Sequence, residues 1–144
     1  MRVGLLILAI ALTSIVVAAQ QSGNAREHDA RWSAPANEAA KTNPLANRPD
    51  AAEGGRKVFA QRCSTCHGES AEGTSDAPSL TRTGVRRQSD GELFWKISSG
   101  NARTGMPTFS FLPPPQRWQL VLYIRSQAAS ASASGSRQDA VSDR

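Results

Sequence analysis

Residues 63–67 have the sequence Cys-Ser-Thr-Cys-His, and this C-x-x-C-H stretch decides which fold the chain can adopt. Two thiols three positions apart lie close to one helical turn from each other, so both can react with one flat molecule. The imidazole of His67 follows directly and is a common metal ligand. Cys63 and Cys66 are the only cysteines. This count excludes a disulfide scaffold and an all-cysteine zinc or iron–sulfur site, which needs about four thiolates.

C-x-x-C-H is the motif to which c-type haem is attached, and the two thiols would form thioethers with the haem vinyl groups. Three other interpretations are open. A thioredoxin-like redox pair expects a βαβ context, which the sequence does not show. A zinc site needs four ligands, and the only other histidine is His28. A structural disulfide between Cys63 and Cys66 is the third.

The N-terminus has the pattern of a secretory signal peptide over residues 1–19. Arg2 supplies a positive charge, residues 3–17 are almost wholly apolar, and small residues precede a cleavage point after Ala19. The alternative is an uncleaved membrane anchor, although the apolar run is slightly short of the roughly 20 residues that span a bilayer. We therefore expect export to an oxidising compartment, the periplasm, with membrane association only if the signal is retained.

Composition indicates one modest globular domain with unstructured ends. The chain has 144 residues, 39% of them hydrophobic, and carries 17 Lys and Arg against 12 Asp and Glu, a net charge of +5. Residues 20–49 are rich in Ala, Asn and Pro and predict a flexible arm. Residues 128–144 are low in complexity and predict a disordered tail. The domain is therefore expected over residues 50–127.

The N-terminal part of the domain, residues 50–66, has a helical pattern. Asp50 precedes Glu53 by three positions, which resembles a capping box. Gly55, Phe59 and Cys63 recur every fourth residue and therefore share one face.

Two further helices are predicted, and no strand pattern is present, so the expected class is all-α. Ser89 has capping chemistry with Glu92 three positions on, and Gly100 is a stop signal. The third helix follows Pro115 and carries Trp118 on an apolar face. About 78 residues supply little core, so a large apolar cofactor would fill the interior.

Residues 50–127 resemble the class I cytochromes c. The resemblance implies a small cytochrome c fold, with three main helices and loops around one haem c bound covalently through Cys63 and Cys66. Asp90–Ile97 is similar to bacterial members in particular. The matching positions are Gly55, Phe59, Cys63, Cys66, His67, Gly68, Ala77–Leu80, Gly105–Pro107 and Trp118–Arg125.

The resemblance also implies roles for two loops. In the first, the carbonyl of Pro78 would accept the Nδ1–H of His67, and Leu80 would pack on the haem ring. In the second, Met106 would be the distal iron ligand opposite His67.

Met106 is a candidate ligand on separate grounds. Met1 would leave with the signal peptide, so Met106 is the only thioether of the mature chain. Haem iron in cytochromes c is held by His and Met, and the Met raises the potential. The alternatives are core packing, ligation by His28, or an open site. Phe109 and Phe111 flank the loop that carries this methionine and are expected to wall the distal side.

The function implied is one-electron transfer without catalysis. The expected partner is a redox protein such as a terminal oxidase or a periplasmic dehydrogenase, either met by diffusion or bound as a module. An acidic docking face is expected if the basic residues form a contact surface, although a solvated surface is equally open. No nucleic-acid motif is present. A haem enzyme or gas sensor with Met106 unligated is the alternative. The basic residues concerned are Arg82, Arg86, Arg87 and Arg103.

Overall fold

The computed structural model describes residues 32–142, with side chains described through residue 133, and this part of the chain is helical. Its α-helices are Ala36–Ala39 (α1), Ala51–Arg62 (α2), Ser64–His67 (α3), Thr83–Arg86 (α4), Asp90–Ser99 (α5) and Pro114–Ser142 (α6). A short 3-10 helix spans Ala102–Thr104. Within residues 32–142 the only β-type pairing is an isolated bridge between Asn101 and Met106. The predicted all-α class is confirmed.

The compact unit that contains these helices begins at Ala34. The predicted signal peptide, residues 1–19, and His28 lie outside the described residues. None of the helices within residues 32–142 is long and apolar enough to cross a membrane.

Helices α2 and α6 form the main packing contact of the unit. They approach so closely at Gly55 that a Cβ there would lie 2.0 Å from the backbone oxygen of Gln119. One turn further along α2, the rings of Phe59 and Tyr123 meet with centroids 5.0 Å apart. Both Gly55 and Phe59 are buried, as the predicted shared face requires. This crossing fixes the direction in which α2 delivers the C-x-x-C-H segment.

Helix α5 begins and ends where the sequence predicts. The hydroxyl of Ser89 accepts the N–H of Glu92 at 3.1 Å and caps the first turn. Gly100 ends the helix with φ of 64°, a conformation that glycine adopts without a steric penalty. The ring of Phe94 stacks on Trp118 of α6 with centroids 4.0 Å apart. Helix α5 therefore has defined ends at Ser89 and Gly100 and packs against α6.

The predicted capping role of Asp50 is not observed. Its side chain makes no capping hydrogen bond to α2, and its backbone is already helical, with φ of −58° and ψ of −29°. The carboxylate instead pairs with Arg48 at 2.9 Å, and this hydrogen-bonded partner lowers the pKa of Asp50. The Asp50 carboxylate therefore forms an ion pair with a neighbouring arginine and not the helix cap that the sequence pattern predicted.

The second part of the predicted arm differs from a flexible segment. Helix α1 lies against α5, where the Ser89 hydroxyl donates to the carbonyl of Ala39 at 2.6 Å. Asn43 is only 5% exposed, and its Nδ2 donates to the carbonyl of Trp118 at 3.1 Å. These contacts are made by single polar side chains, so no periodic pattern of apolar residues in the sequence predicts them.

The predicted disordered tail is also different in the structure. Helix α6 continues through residues 128–142, where alanine, the residue of highest helix propensity, recurs. The hydroxyl of Ser130 donates to the carbonyl of Ser126 at 3.0 Å, and that of Ser132 to Ala128 at 2.9 Å, so these serines are accommodated within the helix but do not stabilise it. The low-complexity segment 128–142 is therefore helical in the structure.

Candidate haem-binding site

The C-x-x-C-H residues lie at the end of α2 and on the one-turn helix α3. The N–H of Cys63 still bonds to the carbonyl of Phe59, at 2.8 Å, and the N–H of His67 bonds to the carbonyl of Cys63, at 2.9 Å. Cys63 is half-buried against the core, whereas Cys66 is exposed, and both are free thiols. Burial, reinforced by the charge of Cys66, raises the pKa of Cys63 to about 11. The thiols are therefore presented one turn apart, as the motif spacing predicts.

The imidazole of His67 is held by the loop that follows it, residues 68–80, which we call the proximal loop. Its Nδ1 lies 3.0 Å from the carbonyl oxygen of Pro78. Because a carbonyl can only accept, Nδ1 carries the proton of this bond and Nε2 keeps its lone pair. This arrangement orients a metal-binding histidine and fixes its tautomer.

Hydrogen bonds tie the proximal loop back to the motif. The N–H of Gly73 donates to the carbonyl of His67 at 2.7 Å, and the N–H of Leu80 donates to Ala71 at 2.8 Å. Gly73 has φ of 89°, and a Cβ there would lie 2.5 Å from the backbone nitrogen of Ser79. Leu80 is half-buried and packs against the hydrophobic core. Pro78 and Leu80 thus occupy the same short loop, on a backbone path that only glycine permits at position 73.

Met106 lies in a second loop, residues 100–112, which we call the distal loop. The backbones of Met106 and Asn101 exchange two hydrogen bonds, of 2.9 and 3.1 Å, which close the turn between the two residues. The side chain of Asn101 accepts the N–H of Arg103 and caps the 3-10 turn, and Gly105 follows in the left-handed region with φ of 79°. The Met106 side chain is half-buried and packs against the core. A thioether is therefore held on a closed, short loop.

The distal loop is anchored to α5. Thr108 donates its hydroxyl to the carbonyl of Ser98 at 2.6 Å, and the N–H of Phe109 donates to Ile97 at 3.2 Å. Phe109 is buried, as expected of a residue that walls an apolar site. Phe111 differs from the same expectation, because it is 64% exposed. Its ring lies tilted against that of Phe109, with the two centroids 5.9 Å apart.

Sequence reasoning missed two polar residues that shape these loops, Thr74 and Asn101. Thr74, in the proximal loop, donates its hydroxyl to the carbonyl of Cys66 at 2.5 Å. Asn101 pairs with Met106 and caps the turn between them. The signal in both cases was a side chain with capping chemistry next to a glycine, at Gly73 and Gly100, which is too common to identify a role.

The donor set fits an iron porphyrin. A haem supplies four nitrogens to its iron, so the protein would add one or two further donors and, in c-type proteins, two thiols. An oriented imidazole, a thioether and a thiol pair are the groups present. No group of three or more His, Cys, Asp or Glu side chains placed to hold a metal ion occurs among the described residues.

Comparison with known proteins agrees with this fold and these loops. Residues 50–124 match the family described as cytochrome C oxidase, cbb3-type, subunit III. The crystal structure of cytochrome CL from the marine methylotrophic bacterium Methylophaga aminisulfidivorans is similar, with 26% identity and a TM-score of 0.52. The match covers 61% of this chain and 67% of that one. No curated protein matches the chain.

The fold and the paired loops define a class I c-type cytochrome. More particularly, the chain belongs to the cbb3-type cytochrome c family, whose match covers just over half of it. The family implies covalently bound haem c and a function in haem-based electron transfer. The predicted family and the small cytochrome c fold are therefore confirmed.

Proposed function

We propose that this protein transfers one electron at a time through a single haem c. The haem is attached through Cys63 and Cys66, and its iron is ligated by His67 and Met106. The observation that carries the proposal is the 3.0 Å contact between His67 Nδ1 and the carbonyl of Pro78. A histidine held in this way directly after C-x-x-C keeps Nε2 for the iron.

When bound, the haem supplies an iron that alternates between the ferric and ferrous states. The residues of the chain bind, orient and shield it. Pro78 keeps His67 in one orientation, and the Asn101 bridge keeps Met106 at one height. Leu80 and Phe109 add apolar surface that excludes water, and water exclusion is one of the levers on the potential. Because the same two ligands serve both states, oxidation and reduction need little rearrangement.

Ligation by Met106 is supported by the closed loop on which it lies. A methionine that only filled the core would not need a backbone bridge and a left-handed glycine beside it. Both features limit where the sulfur can lie. The site is therefore proposed to be six-coordinate and closed to external ligands.

The partner is proposed to be a redox protein, such as a terminal oxidase or a periplasmic dehydrogenase, met after export. The description of the matching family, an oxidase subunit, supports the first. The proximal loop carries three exposed carboxylates and no basic residue, whereas Arg103 is the only charge in the distal loop. An acidic docking face would thus be repelled by the proximal loop and would approach from the distal side. The carboxylates are Glu69, Glu72 and Asp76.

Replacing Cys63 and Cys66 together with Ala tests the attachment. We expect the wild-type protein, produced with a haem-attachment apparatus, to keep one haem per chain through denaturing extraction, measured by mass spectrometry. The double variant should lose it. Ser64→Ala is the matched control, because it alters the same helix without removing a thiol. Covalent haem retained by the double variant would contradict the proposal.

Salt dependence tests the docking face. The rate of electron transfer to an acidic partner should fall as ionic strength rises, because surface charges are screened over about 8–10 Å at physiological salt. Arg103→Gln should weaken this dependence, measured by stopped-flow kinetics at several salt concentrations. A rate independent of salt would contradict an acidic partner.

A further inference from the structure

Thr74 is exposed, yet both its hydroxyl and its backbone N–H are hydrogen-bonded. Its hydroxyl donates to the carbonyl of Cys66 at 2.5 Å and accepts the N–H of Asp76 at 3.1 Å. Its own N–H donates to the carbonyl of Ala77 at 2.9 Å. One side chain therefore joins the C-x-x-C-H helix to the segment that immediately precedes Pro78.

The position of the Pro78 carbonyl depends on this segment. Proline has no N–H, so it cannot anchor itself by a backbone donor. The contacts of Gly73 with His67 and of Leu80 with Ala71 hold the two ends of the loop. Between those ends, the contacts of Thr74 with Asp76 and Ala77 shape the turn that leads into Pro78. The hydroxyl bond to Cys66 fixes this turn relative to the histidine one residue further along the chain.

We propose that Thr74 is a positioning residue for His67, acting through the carbonyl of Pro78. This inference rests on the proposed function, because it requires His67 to ligate haem iron. The Thr74 hydroxyl keeps the Pro78 oxygen within hydrogen-bonding distance of Nδ1–H. That bond increases electron donation by the ring to the iron, which favours the ferric state. Thr74 thereby contributes to a low potential from outside the ligand set, opposing the effect of the methionine.

The test compares Thr74→Val, which removes the hydroxyl at nearly constant shape, with Thr74→Ser, which keeps it. The first readout is the midpoint potential of the haem-loaded protein. The second is the hydrogen-exchange rate of the His67 Nδ1–H in the reduced protein, measured by NMR. Thr83→Val is the matched control, since Thr83 is also exposed and hydrogen-bonded, to Arg86, but lies outside both loops.

We expect Thr74→Val to raise the potential and to speed the exchange about five- to tenfold, the factor that loss of one net hydrogen bond gives. Thr74→Ser and Thr83→Val should match the wild type in both readouts. If Thr74→Val does not accumulate with haem, Thr74→Ala removes the same hydroxyl and is measured instead.

Two results would overturn the inference alone. One is a wild-type potential and exchange rate in Thr74→Val, and the other is equal behaviour of the Val and Ser variants. A wild-type protein without covalent haem, or with haem not ligated by His67, would instead overturn the proposed function. The two failures are therefore distinguishable in the same experiment.

Discussion

The proximal and distal loops hold their candidate ligands in different ways. The proximal loop is bonded mainly to the motif that it serves, through Cys66, His67 and its own residues. The distal loop is bonded to α5, through Ile97 and Ser98. Both loops are thus anchored to residues nearby in the chain, but the proximal loop closes on the segment that carries Cys66 and His67, whereas the distal loop depends on how α5 is packed. Because His67 directly follows a cysteine that is proposed to hold the haem covalently, we expect Met106 to leave the iron before His67 under any mild perturbation.

The largest expected effect is the difference between replacing His67 and replacing Met106. His67→Ala should prevent assembly of a normal low-spin haem site, because the oriented donor next to the thioethers is lost. Met106→Ala should retain covalent haem, lower the midpoint potential and allow carbon monoxide to bind. Optical titration with carbon monoxide and potentiometry measure both changes. An unchanged potential in Met106→Ala would mean that Met106 only packs.

A matched pair of glycines gives the next effect. Gly73→Ala in the proximal loop forces a Cβ to 2.5 Å from the backbone of Ser79, whereas Gly105→Ala in the distal loop meets nothing within 4 Å. Both have positive φ, so both are strained. We expect Gly73→Ala to lower the free energy of unfolding by about 3 kcal/mol and Gly105→Ala by about 1 kcal/mol, from denaturant titration. Equal losses would contradict the tighter construction of the proximal loop.

The smallest effect concerns the cap of the distal loop. Asn101→Ala removes the acceptor for the N–H of Arg103 and should cost about 1 kcal/mol of stability, as loss of a cap does. It should also weaken the far-red ferric band that accompanies methionine ligation. Asn101→Ser keeps a capping oxygen and serves as the control. An Ala variant with an undiminished band would show that the cap does not position Met106.

Much of the fold could be predicted because its signals are local. The C-x-x-C-H spacing, the Ser89 cap, the Gly100 stop and the Gly55–Phe59 face each depend on residues within one or two turns. The structure also brings Pro78 to His67 as the family resemblance implied. These are the features that a sequence records directly.

The remaining features depend on partners distant in the sequence. Asn43 is buried because it reaches Trp118, 75 residues away. Phe111 is exposed, although its position next to the Met106 loop led us to expect that it would wall the site. Asp50 pairs with Arg48 because an arginine lies within reach. Polar contacts of this kind carry no periodicity, so composition led to a flexible arm where residues 36–43 pack against the domain.

The most direct test is an optical spectrum of the haem-loaded protein, oxidised and reduced, with and without carbon monoxide. We predict a c-type spectrum with the weak far-red band of methionine–iron ligation in the ferric state and no change on adding carbon monoxide to the ferrous state. A c-type haem that lacks this band and binds carbon monoxide would contradict the closed site and favour a haem enzyme or gas sensor. Absence of covalent haem would contradict the central claim.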